Sequence, residues 1–153
     1  MKFQLIDAIL EQDSDRIVAV KNLTSAEEYL ADHFPSFPVM PGVMMIETLV
    51  QAGRLLVRER TGKGGYVLGE VRALRYGSFV RPGDTLRVTV TITGEKDGLF
   101  KCKGEGQVIH PGYFGNTGGG GGNSVMEKNQ IETAVSGRFT LRPLRLAPRW
   151  GAR

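Results

Sequence analysis

The chain has 153 residues, 41% of them apolar and 24% charged: one domain's worth, with enough apolar side chain to bury a core and too much to stay disordered. One cysteine excludes a disulfide framework, and one cysteine with two histidines leaves no ligand set for a structural zinc. Twenty basic against sixteen acidic residues give +4, but residues 142–153 hold four arginines and no acid, so the rest is neutral and nucleic acid is a poor fit as partner.

Within that neutral part the charge is uneven: residues 1–53 sum to −5 and residues 54–103 to +6. No apolar run is long enough to span a bilayer. The start, MKFQLIDAILEQDSD, lacks the basic flank and apolar core of a secretory signal, so a cytoplasmic, reducing setting without membrane insertion is expected.

In chain order, Leu5, Ile6, Ile9 and Leu10 sit at helical spacing and predict a short amphipathic helix. The β-branched run Arg16–Leu23 predicts a strand. Ser25 with Glu28 three residues on fits a capping box opening a short helix to Leu30. Three prolines between Pro35 and Pro41 then force a rigid, non-helical loop. Gly42–Arg60 carries the strongest helix pattern, apolar around most of its circumference. Its polar exceptions, Glu47, Gln51, Arg54 and Arg58, fall within roughly 60° of one another at about 100° per residue. That stripe must face solvent, a partner or a site, and Gly53 offers a place for close backbone approach.

Beyond Gly65 the pattern changes to period two, with strands expected at Tyr66–Leu74, Thr85–Thr93, Leu99–Ile109 and Glu132–Leu141. Turns are expected at Arg81–Asp84 and Lys96–Gly98. Seven of the 21 glycines lie between Gly112 and Gly122, so about 111–130 reads as a flexible connector or acquired insertion. The domain would span 1–142 and a basic tail 143–153. A helix this apolar is best buried by curling the sheet around it, an α+β arrangement.

Chemistry concentrates in residues 33–47. His33 precedes the rigid loop and Glu47 lies on the apolar helix, a general acid/base pair in prospect. The helix start at Pro41–Gly42 offers free N–H groups for a developing oxyanion. On the residues alone, a loop histidine and a solvated glutamate remain the blander alternative. Cys102 reads as a core-facing thiol and His110 as a turn residue.

The stretch DHFPSFPVMPGVMMIETLVQA resembles the signature HFPGxPVMPGVLxxExxxQ of the FabZ-type (3R)-hydroxyacyl-acyl carrier protein dehydratases. It matches at His33, Phe34, Pro35, Pro38, Val39, Met40, Pro41, Gly42, Val43, Glu47 and Gln51, with the histidine-to-glutamate step of fourteen residues intact. IVAVKNLT before it and VRALRYGSFVRPGDTLRV after it also resemble the family. The resemblance implies a hot-dog fold, a central helix wrapped by an antiparallel sheet. It further implies a homodimer, in many members a trimer of dimers, whose active sites each take histidine from one subunit and glutamate from the other.

The implied reaction removes water from a 3-hydroxyacyl thioester carried by acyl carrier protein, in fatty-acid or related lipid biosynthesis, without metal or redox cofactor. His33 would act as base at C2, Glu47 would help protonate the departing hydroxyl, and the Gly42 N–H would polarise the thioester carbonyl. Phe34, Met40, Val43, Met44, Tyr76 and Phe79 become candidates for an acyl tunnel, each equally a core residue, with Tyr76 near the family's substrate gate. Because acyl carrier proteins are acidic, Arg54, Arg58 and Arg60 become candidates for carrier docking. Asp32 and Ser36 stand where the family usually has glycine, which bears on loop shape and substrate range. A hot-dog thioesterase and a non-catalytic acyl-thioester binding module are the competing readings.

Overall fold

The computed structural model describes residues 3–111 and 131–145. One long helix, α1 (Gly42–Thr61), packs across a six-stranded antiparallel sheet of β1 (Ala8–Gln12), β2 (Arg16–Asn22), β3 (Tyr66–Tyr76), β4 (Thr85–Lys96), β5 (Leu99–Ile109) and β6 (Ile131–Pro143). The spatial order is β1-β2-β4-β5-β6-β3, leaving β1 and β3 as edges. This is the hot-dog arrangement expected from the sequence.

Alternation builds the sheet. Leu86, Val88, Val90 and Ile92 of β4 point inward between outward Thr85, Arg87, Thr89 and Thr91. Along β5 the inward positions are Phe100, Cys102, Gly104, Gly106 and Val108. Gly104 is what lets α1 approach, since a Cβ there would stand 3.0 Å from a Leu49 methyl. Gly53 performs the matching role on the helix, where a Cβ would meet Leu141 at 3.1 Å and Phe139 at 3.3 Å. Fully burying Leu49 and Leu56 in this interface contributes about 2 kcal/mol each. Cys102 is buried as expected, and burial pushes its thiol pKa up to about 12.

The turns follow their residues. Asp97 (φ 52°) and Gly98 (φ 76°) close the β4–β5 hairpin in the left-handed region that Asp-Gly favours. At Arg81–Asp84 the Asp84 N–H donates to the Arg81 carbonyl at 2.9 Å, and the Asp84 carboxylate accepts from the Arg81 N–H at 2.8 Å.

Two local expectations are corrected. Leu5–Gln12 forms no helix: Ala8–Gln12 is β1, paired with β2 through a bulge between Ile9 and Glu11. Spacing over so few residues does not separate a helix from an edge strand, and the open edge of β2 decides it. The capping box at Ser25 does not form either. Glu28–Leu30 is a single 3₁₀ turn without a side-chain cap, and the neighbouring Glu27 is drawn to the buried Lys21 ammonium at 2.9 Å. The glycine-rich stretch 112–130 and tail residues 146–153 lie outside the described residues, while Pro143, expected in the tail, ends β6.

Candidate active site

The proline-rich loop is non-helical as expected, and it is held at both ends. The Val39 N–H donates to the His33 carbonyl at 3.0 Å, and the Met40 N–H to the Val80 carbonyl at 2.8 Å. The second bond ties the loop to the segment leading into β4. His33 Nδ1 lies 3.0 Å from the Val39 carbonyl oxygen. A carbonyl only accepts, so Nδ1 is the donor in this contact, and in the neutral ring Nε2 is the nitrogen with the lone pair. The His33 ring stacks on Phe34, centroids 4.4 Å apart.

At Pro41 the loop becomes α1. Pro41 provides no side-chain cap, and its carbonyl accepts from the Met44 and Met45 N–H groups at 2.9 and 3.2 Å. The Gly42 and Val43 N–H groups find no acceptor among the described residues. The helix therefore presents two donors and the positive end of its dipole beside the histidine loop. Over them lies Tyr76: a Cβ at Gly42 would stand 2.7 Å from two atoms of its ring. Glycine at 42 is thus what admits the Tyr76 ring.

Glu47 points elsewhere. Its Oε1 accepts from Gln51 Nε2 at 3.0 Å and faces Arg54 at 3.5 Å, leaving Oε2 without a partner among the described residues. Gln51 also donates to the Phe3 carbonyl at 3.0 Å and accepts from the Leu5 N–H at 2.9 Å, so the N-terminal segment is strapped across the helix stripe. Between them opens a cleft of about 1090 Å³, walled by Phe3, Ile6 and Ile9 on one side and Glu47, Arg54 and Arg58 on the other. Within one chain, His33 and Glu47 make no hydrogen bond or ion pair with each other.

The tunnel candidates divide. Phe34, Val43 and Phe79 are exposed, at 53%, 68% and 61%, as is Tyr76. Met40 is buried in the core, and Met44 packs against it half-buried. The docking candidates divide too. Arg54 and Arg58 flank the cleft, whereas Arg60 is drawn away to Asp15 and Glu95. The structure also adds residues that the sequence reading passed over. Phe37 meets Phe79 edge-on at 5.9 Å under the Arg81 guanidinium, which lies 4.5 Å from the Phe37 ring. The second aromatic of the FPSFP run was the available signal. His110, read as a turn residue, faces the buried Asp84 carboxylate at 2.8 Å through Nδ1. No cluster of metal-ligating side chains occurs among the described residues.

Comparison with known proteins agrees with the fold. The model of the ApeI-like family, described as ApeI dehydratase, matches residues 10–112. The 3-hydroxyacyl-[acyl-carrier-protein] dehydratase FabZ of Solibacter usitatus is 41% identical over 105 residues, covering 67% of this chain and 65% of that protein. The FabZ of a Polaromonas species is 42% identical over 106 residues, covering 65% and 73%. The chain thus spans slightly less than two thirds of the first of these relatives.

Among solved structures, the dehydratase heterocomplex ApeI:P of Xenorhabdus doucetiae superposes with a TM-score of 0.60 at 17% identity, covering 93% of this chain and 99% of that one. The PaaI protein of E. coli gives 0.57 at 12%, covering 90% and 79%. These two establish the fold alone. On the family match and the identity to FabZ proteins, the chain belongs to the ApeI-like family of FabZ-type hot-dog dehydratases.

Proposed function

We propose that the chain dehydrates 3-hydroxyacyl thioesters carried by acyl carrier protein to trans-2-enoyl thioesters, in fatty-acid or related lipid biosynthesis. The observation that carries the chemistry is that His33, held on Val39, and the open N-terminus of α1 lie at the two ends of one short loop. Nδ1 is committed to the Val39 carbonyl, so Nε2 is the free base, and the Gly42 and Val43 N–H groups are free donors nearby. The thioester carbonyl accepts from those N–H groups, which stabilises the enolate-like charge. Nε2 then takes the C2 proton, the C2–H electron pair becomes the new double bond, and the C3–O bond breaks. Glu47 in its acid form gives a proton to the departing hydroxyl, directly or through one water, water leaves, and the proton taken by His33 returns to Glu47 to restore both groups. Atoms and charge balance without any change of oxidation state, so the reaction calls for no metal or redox cofactor.

Because His33 and Glu47 do not meet within one chain, the reading places them on two subunits of a dimer, with further assembly to a hexamer left open. The exposed Phe34, Val43 and Phe79 support this, since they would be covered by a second subunit and line the acyl path. A cytoplasmic setting goes with the reading. No helix among the described residues is long and apolar enough to cross a membrane.

The test is turnover. Purified protein should interconvert 3-hydroxyacyl and 2-enoyl thioesters, and His33→Ala and Glu47→Gln should each lower kcat by about 10²–10⁴-fold. Release of free thiol instead would assign a thioesterase. Undiminished dehydration by Glu47→Gln would remove that carboxylate from the reaction.

A further inference from the structure

Outward positions on a sheet usually mix charges, because like charges set directly opposite one another repel. The outer face of β5, β6 and β3 carries Glu105 and Glu70, yet one row of it departs from this. Lys103 is paired with Arg138 and Arg138 with Arg72, so three cations stand in one row across three neighbouring strands. The same face carries Lys101 opposite Thr140, Arg75 opposite Ser136, and Arg142 further along β6. The intervening Cys102, Phe139 and Leu141 are buried, which sets these cations toward solvent. Arg72 is paired with Glu70 at 2.8 Å. The other five form no ion pair among the described residues. Arg72, Lys101, Arg138 and Arg142 outnumber the single carboxylate, Glu70, in the lining of a depression of about 700 Å³.

Two of the three helix cations behave differently; Arg58 forms no ion pair among the described residues. Arg54 faces Glu47, and Arg60 is held by Asp15 and Glu95. Charge already answered by a carboxylate attracts an acidic partner weakly, whereas in the sheet row only Arg72 is so answered, and Lys103 and Arg138 keep their field for an incoming one.

We propose that the outer face of β5–β6–β3 is the docking surface for an acidic carrier protein, with the Lys103–Arg138–Arg72 row at its centre. This rests on the dehydratase reading above. Charge complementarity supports it, and so does position: Arg72 lies four residues, roughly 13 Å along a strand, from Tyr76, whose ring covers Gly42 at the candidate site. The depression suits a protruding element of a folded acidic domain better than a flat bilayer. The cations are not interleaved with exposed aromatic rings of the kind on which single-stranded bases stack.

Titration of the full chain with an acidic holo-acyl carrier protein by calorimetry at low salt tests the surface directly. Lys103→Glu/Arg138→Glu should weaken binding by about tenfold or more, while Arg58→Glu/Arg60→Glu changes it by no more than about twofold. The gentler Lys103→Gln/Arg138→Gln removes the repulsion, so it should weaken binding several-fold with Tm unchanged or raised. Binding of Lys103→Glu/Arg138→Glu within about twofold of wild type overturns the proposal. So does a larger loss in Arg58→Glu/Arg60→Glu, or tighter binding of duplex DNA or phosphatidylserine vesicles than of the carrier. Turnover of a small free 3-hydroxyacyl thioester is measured alongside: its absence in wild type would overturn the dehydratase reading, and the titration would still decide the docking face.

Discussion

The two ends of α1 are finished in opposite ways. At the C-terminus every device that closes a helix is present. Gly62 takes the left-handed conformation at φ 65°, its N–H donates to the Arg58 carbonyl at 2.8 Å, and the Thr61 hydroxyl donates to the Val57 carbonyl at 2.7 Å. Arg58 and Arg60 place positive charge where the dipole is negative. At the N-terminus Pro41 supplies no side-chain cap, two N–H groups are left without acceptors among the described residues, and Val43 is exposed. One end is completed for stability. The other is left open, which is where the proposed reaction is placed.

That contrast can be broken from either side. The largest effect should come from the open end. Gly42→Ala brings a Cβ to where Tyr76 now lies and crowds the donors, so kcat should fall by about 10²-fold with Tm nearly unchanged. Steady-state kinetics beside a melting curve would show it, and a comparable loss of Tm would mean that Gly42 is structural. At the closed end, Gly62→Ala should cost about 1 kcal/mol of stability in a denaturant titration while kcat stays as it was. A Cβ at Gly62 meets no atom within 4 Å, so the cost is backbone strain alone. The smallest effect belongs to the middle of the molecule. With its pKa near 12, Cys102 is almost wholly protonated at pH 8 and should resist a disulfide reagent until the chain is unfolded. Fast labelling of native protein would show that the sheet opens beneath α1.

Much of this was legible in advance because the signals were long or chemically rigid. Twenty helical residues, an Asp-Gly hairpin and three prolines in a short loop each leave the backbone few choices. Leu5–Gln12 was misread because edge strands are decided by the neighbour they pair with, here β2. Gln51 looked like one member of a solvated stripe, yet it holds the chain at Phe3 and Leu5, residues almost fifty positions away. Arg54, Arg58 and Arg60 look like one basic patch because they are close in sequence, but Arg54 turns to Glu47 on its own helix and Arg60 to Asp15 and Glu95.

By itself, then, the sequence determined the central helix, most of the strands and the rigid loop, since periodicity and proline geometry act locally, and its resemblance to a family named His33, Gly42 and Glu47 as candidates. Only the tertiary structure decided which carboxylate answers which arginine, which ring covers the helix N-terminus, and that Lys103, Arg138 and Arg72 stand in one row. Those depend on strand register, which brings together residues from three separate segments.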